Sequence, residues 1–150
     1  MGIPTLIKTL TASDSSSLDF VDGTSSVVLD STYDEYMFVF TDIGAATDEV
    51  DFSFQVNATD DAGGGYDTSL ITSTSFYADH AEDDSGTGFT YRDSLDLAES
   101  ASFQIVADRV SNASDESLAG IMHLFSPSST TLIGTIAYSL SQHLETSRLC

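Results

Sequence analysis

The densest group of ionisable side chains is Asp79-His80-Ala81-Glu82-Asp83-Asp84, directly before Ser85-Gly86. Carboxylates clustered on one loop offer hard oxygen ligands to Ca²⁺, and Asp79, Glu82, Asp83 and Asp84 are the metal candidates. Their spacing does not follow the EF-hand register, and a solvated acidic loop has the same composition. His80 beside them is a base without an evident nucleophile. A second acidic group, Asn57, Asp60, Asp61 and Asp67, flanks the glycines at 63 to 65. Loops that bind calcium between strands use such residues, and hairpin loops use them equally for Asx-turns and positive φ. Those glycines match neither a dinucleotide fingerprint nor a P-loop, and nowhere does the chain contain a G-x-S-x-G elbow or an H-E-x-x-H helix.

Any such groups must be held by strands. Val50, Phe52, Phe54 and Val56 alternate with Asp51, Ser53, Gln55 and Asn57, which predicts a half-buried strand with one apolar face. Tyr33 to Phe40 (YDEYMFVF) is apolar on both faces beyond Glu35, so it is expected to be a central strand. Further strands are expected over 3–9, 18–21, 26–29, 70–78, 103–107, 119–125 and 132–140, with a short helix as the alternative over 92–102. Asp22-Gly23, the 61–65 loop, Ser85 to Gly88 and Ser126 to Ser129 supply turn signals between them. Short segments at this spacing point to an all-β fold, an antiparallel β-sandwich of jelly-roll-like or immunoglobulin-like kind. With 150 residues and no dividing linker, one domain is expected over 1–150.

Charge then limits the partners. The chain has 24 Asp and Glu against 4 Lys and Arg, a formal charge of −20, which argues against binding to nucleic acid or to an anionic membrane. Self-repulsion of this size is relieved by high salt, bound cations or a basic neighbour. Hydrophobic residues at 41 % are enough for a folded core. Cys150, the single cysteine, excludes an intrachain disulfide and a thiolate metal cluster, so a bound metal would be held by oxygen. No apolar stretch has the length of a signal peptide or a membrane helix.

The segments LIKTLTAS (6–13), STYDEYMFVF (31–40), ATDEVDFSFQV (46–56), GGGYD (63–67) and HLFSPSST (123–130) resemble a family of uncharacterised virion structural proteins of marine tailed bacteriophages. The resemblance spans residues 6–130 and contains no catalytic signature. It implies a non-enzymatic component of a phage particle, as head decoration, fibre or tail, assembled in the host cytoplasm and located in the virion. Its implied partners are other copies of itself and other virion proteins such as capsid or tail proteins. Members of that family continue with further strands after the HLFSPSST-like segment, so the resemblance also implies a C-terminally shortened form whose sheet edge is completed by another copy or a partner.

Such a role needs contact residues rather than catalytic ones. Tyr33, Tyr36, His123, Phe125 and Tyr138 are the expected interface residues, with apolar patches near 121–125 and 132–140 docking on neighbours. The alternative function is a carbohydrate- or receptor-binding module at a fibre tip, holding a host surface glycan on Tyr66, Tyr77, Tyr91 and the 79–84 loop.

Overall fold

The computed structural model describes residues 3–57, 70–80, 84–128 and 135–142, the side chains of Thr135 and Gln142 excepted. It is all-β with antiparallel sheets, the class that the short alternating segments predict. The described strands are β1 (Glu35–Ile43), β2 (Val50–Phe54), β3 (Phe76–His80), β4 (Thr87–Tyr91), β5 (Gln104–Val110), β6 (Leu118–Phe125) and β7 (Thr135–Gln142). The chain forms two compact units, one from Met1–Ala46 with Asn112–Cys150 and one from Thr47–Ser111.

The first unit is built on a sheet of order β1-β6-β7. Alternation along its strands sorts side chains by face. Tyr36 lies opposite Leu124, Phe38 opposite Met122 and Phe40 opposite Gly120, and across the other ladder Leu124 meets Ile136 and Met122 meets Tyr138. This inner face holds the unit's core, with Tyr36, Leu118 and Met122 buried and Phe20 packed edge-on against Phe38 at 5.3 Å. Among the described residues β1 therefore flanks the sheet instead of occupying its centre, and β6 is the central strand. The apolar residues on the second face of β1, Met37 and Val39, are 45 % and 56 % exposed, contrary to the expectation that both faces are buried. Between Phe40 and Ile43 the register shifts by one residue, and Asp42 adopts a positive φ of 54° at that bulge.

No strand forms over 3–9, 18–21 or 26–29. In place of the last two, a turn closes on itself: Val27 N–H donates to Thr24 C=O, Thr24 N–H to Val21 C=O, and Leu29 N–H to the Asp22 carboxylate. Gly23 sits there at φ 73°, a conformation that glycine adopts without strain.

In the second unit β2 pairs with β5, and two register shifts interrupt the ladder. Both place the extra residue on β5, one beside Arg109 at φ 57°. The unit also contains a long irregular hairpin. β3 pairs with β4 from Phe76↔Tyr91 to His80↔Thr87, and the pairing continues outward through Ser75–Arg92, Ser73–Leu97 and Ile71–Ser100. These contacts occupy the backbone that a helix over 92–102 would need, so only one 3₁₀ turn, Asp93–Leu95, survives. β4 starts inside the Ser85-Gly86-Thr87-Gly88 segment, which the sequence marks as a turn. Among the described residues, no helix is long and apolar enough to cross a membrane.

Candidate functional site

Two surfaces stand out, one in each unit. The first is the outer face of the β1-β6-β7 sheet. Opposite the core-facing set, the ladder aligns Glu35 with Phe125, Met37 with His123 and Val39 with Ile121, while Ala137 and Ser139 of β7 stand beside His123 and Ile121. Met37, Val39 and Ile121 are all more than a third exposed. The His123 and Phe125 rings stack with centroids 6.0 Å apart and planes 8° from parallel. His123 Nδ1 donates to Glu35 Oε1 at 2.5 Å. Among the described residues the face thus combines an apolar strip with one hydrogen-bonded ionisable pair.

Strand alternation divides the expected interface residues. His123 and Phe125 lie on this outer face, half-buried. Tyr36 and Tyr138 turn inward: Tyr36 is 4 % exposed and its hydroxyl donates to Asp30 C=O at 2.9 Å, while Tyr138 lies half-buried opposite Met122. Burial holds the Tyr36 phenol above the usual tyrosine range. Both point to the core face of this sheet, because their strand parity is that of Phe38 and Leu124. Tyr33 is exposed and packs edge-on against Tyr36 at 5.7 Å. The exposed apolar residues that sequence reasoning missed are Met37 and Val39; the apolar second face of β1 is their signal, and it reads equally as a buried central strand.

The second surface is the β3-β4 hairpin. Phe76, Phe89 and Tyr91 share one face and are 63 %, 73 % and 56 % exposed, with the Phe76 and Phe89 rings 5.3 Å apart. Carboxylates bound this stripe at both ends. The Tyr91 hydroxyl donates to Asp96, which raises its pKa, and at the far end His80 Nε2 lies 3.2 Å from Asp84. On the opposite face Tyr77 carries the Arg92 guanidinium over its ring at 5.2 Å, and Arg92 also pairs with Asp108. Tyr77 and Tyr91 therefore do not form one platform.

Of the metal candidates, Asp79 has the strand parity of Tyr77 and its carboxylate lies over Gly88, whereas Asp84 pairs with His80. Glu82 and Asp83 lie outside the described residues, as do Asp60, Asp61, the glycines at 63 to 65, Tyr66 and Asp67. Among the described residues, no three His, Cys, Asp or Glu side chains gather as an ion would require.

Two shallow depressions lie in the first unit. One of about 200 Å³ is lined by Ser31, Tyr33, Asp34, Ser126 and Ser128, and the other, about 440 Å³, by Ala12, Asp14, Ser15, Ser16 and 44–46. Each combines serine hydroxyls with a carboxylate and has no histidine in its lining.

No family model matches the chain, and no curated protein or solved structure matches it.

Proposed function

We propose that the chain is a non-enzymatic structural component of a tailed-phage virion that acts in assembly or stabilisation of the particle. The observation that supports this reading best is the outer face of the β1-β6-β7 sheet, where Met37, Val39 and Ile121 are exposed beside the stacked His123 and Phe125. An apolar sheet face of this kind gains by covering itself, at about 25 cal/mol per Å² of apolar surface removed from water.

The occupant is a second copy of the chain. In a molecule of charge −20, like-charged copies meet most easily where carboxylates are few, and the described residues of this face include a single one, Glu35, which accepts a hydrogen bond from His123. Three strands of about eight residues span roughly 14 by 27 Å, about 400 Å². That is near half of the ~800 Å² per partner in a standard stable interface. A contact of this size is weak alone and becomes effective when repeated across a symmetric shell or fibre. High salt strengthens it by screening the remaining carboxylates.

Light scattering across protein concentration, at low and at marine-like salt, tests this. The expected result is a mass that rises with concentration and with salt, and that stays monomeric in Ile121→Asp and Val39→Lys with the far-UV circular dichroism of the parent chain. A parent chain that remains monomeric at every concentration and salt, or variants that associate like the parent, would overturn the reading.

A further inference from the structure

We propose that the exposed aromatic face of the β3-β4 hairpin is a docking surface for an arginine-rich polypeptide segment of another protein. The inference stands independently of the sheet-face contact, since it concerns the other unit and a different partner chemistry.

Phe76, Phe89 and Tyr91 present their rings outward from a two-stranded ribbon that has no third strand among the described residues. A hairpin of this kind contributes little burial of its own, so its aromatic side chains bring contact area to a partner instead of to a core. The described acidic residues along this hairpin and its continuation are Asp79, Asp84, Asp93, Asp96 and Glu99. Against them stands one arginine, Arg92, already held on the opposite face by Tyr77 and Asp108. Charge complementarity therefore favours a partner that brings positive charge and sets aside nucleic acid, an anionic lipid surface and a like-charged second copy.

The opposite face indicates which cation. There a guanidinium lies over a tyrosine ring while a carboxylate accepts from its Nη2, an arrangement that suits the planar, delocalised cation of arginine better than the compact ammonium of lysine. The outward face holds related elements without the cation: the Tyr91 ring beside the Asp96 carboxylate, whose oxygens accept from the Tyr91 hydroxyl and Ser75 N–H and keep lone pairs for a further donor, and the Phe76 and Phe89 rings beside them. The stripe from the Phe76↔Tyr91 pair to the His80↔Thr87 pair covers four residue steps, about 13 Å, room for an extended segment of about four residues.

The test is a titration of the isotope-labelled full chain with a Gly-Arg repeat peptide and a Gly-Lys peptide of equal length, read by amide resonances. The arginine peptide is expected to shift residues 76–80 and 87–91 and to bind at least about threefold more tightly than the lysine peptide. Phe89→Ser should weaken the arginine peptide about tenfold, and Phe89→Leu, which keeps apolar bulk without a π face, should weaken it nearly as much. Asp14→Asn with Asp19→Asn, removing two exposed carboxylates of the other unit, should leave the preference for arginine unchanged. Equal affinity for the two peptides, shifts scattered over the acidic surface, or full binding by Phe89→Ser would overturn the proposal. So would loss of the stripe's exposure to self-association, shown by a mass that falls to monomer on Phe89→Ser.

Discussion

His123 and Glu35 meet diagonally across the β1-β6 ladder: register pairs His123 with Met37 and Glu35 with Phe125, yet Nδ1 of one lies 2.5 Å from Oε1 of the other. Both side chains are partly exposed, at 33 % and 48 %, so solvent screens the pair and its worth is about 0.5 kcal/mol. A double-mutant cycle with Glu35→Gln and His123→Gln should return a coupling of that order in chemical denaturation. On the proposed self-association, the pair has a larger effect there: Glu35 without the His123 N–H leaves a carboxylate with no donor from this pair on an apolar face. His123→Gln should therefore weaken self-association more than it lowers stability, and equal effects on both would contradict this assignment of the pair.

Gly120 lies in the central strand where side chains from both ladders converge. A Cβ there would stand 2.6 Å from Ser139 C=O and 2.8 Å from Leu140 Cα, both backbone atoms that cannot withdraw without parting β6 from β7. Gly120→Ala should lower the stability by about 2 kcal/mol or more through overpacking. Gly44→Ala, at a position with nothing within 4 Å, should change it by less than about 0.5 kcal/mol. Equal denaturation midpoints for the two variants would mean that the β6-β7 ladder is looser than described.

These positions also show how far the sequence could be read. β2, β5, β6 and β7 follow from alternation and from clusters of β-branched and aromatic residues, because a strand's period is local information. The faces of β1 do not: whether Met37 and Val39 are buried depends on which strand is central, a long-range fact. β4 was hidden because Gly86 and Gly88, strong turn residues, flank Thr87 within and just before a strand whose partner supplies the ladder. The extended segments before residue 30 carry strand-like residues but find no partner strand among the described residues, so composition alone overstates them. At the candidate surfaces, the aromatic types were legible and their parity was not; Tyr36 and Tyr138 differ from His123 and Phe125 only by one step along a strand.

Gln104 is 1 % exposed at the start of β5, and its Nε2 donates to Leu95 C=O at 3.1 Å and Ile105 C=O at 2.7 Å. Its Oε1 is buried without a hydrogen-bond partner. The amide thus anchors the 3₁₀ turn against the strand through its donor group alone. Gln104→Glu removes the donor and sets a buried carboxylate against two carbonyls, so it should destabilise by about 3 kcal/mol or more at neutral pH. Acidification should recover part of that loss, since a protonated carboxyl again donates. A variant as stable as the parent in urea at neutral pH would show that the amide donor is dispensable.

Tyr36 gives the pH prediction. Its buried phenol, donating to Asp30 C=O, is pushed above the ordinary tyrosine range mainly by desolvation, so the folded state disfavours its phenolate. A folded-state pKa raised above the unfolded one contributes stability that is complete below the unfolded value, about pH 10, and is lost as pH rises through the folded value. Alkaline unfolding should therefore coincide with late ionisation of this tyrosine, read as phenolate absorbance alongside circular dichroism. Tyr91 ionises late as well, because its hydroxyl donates to Asp96, but it is solvent-exposed and its titration should not accompany unfolding. Tyr36→Phe should remove the hydrogen bond at a loss of about 1 kcal/mol at neutral pH. It should also delete the phenolate step that accompanies unfolding and move the alkaline midpoint closer to that of its own neutral stability. If the Tyr36→Phe chain keeps the parent's full phenolate amplitude within the unfolding transition, another tyrosine carries the linkage and the burial of Tyr36 is not its cause.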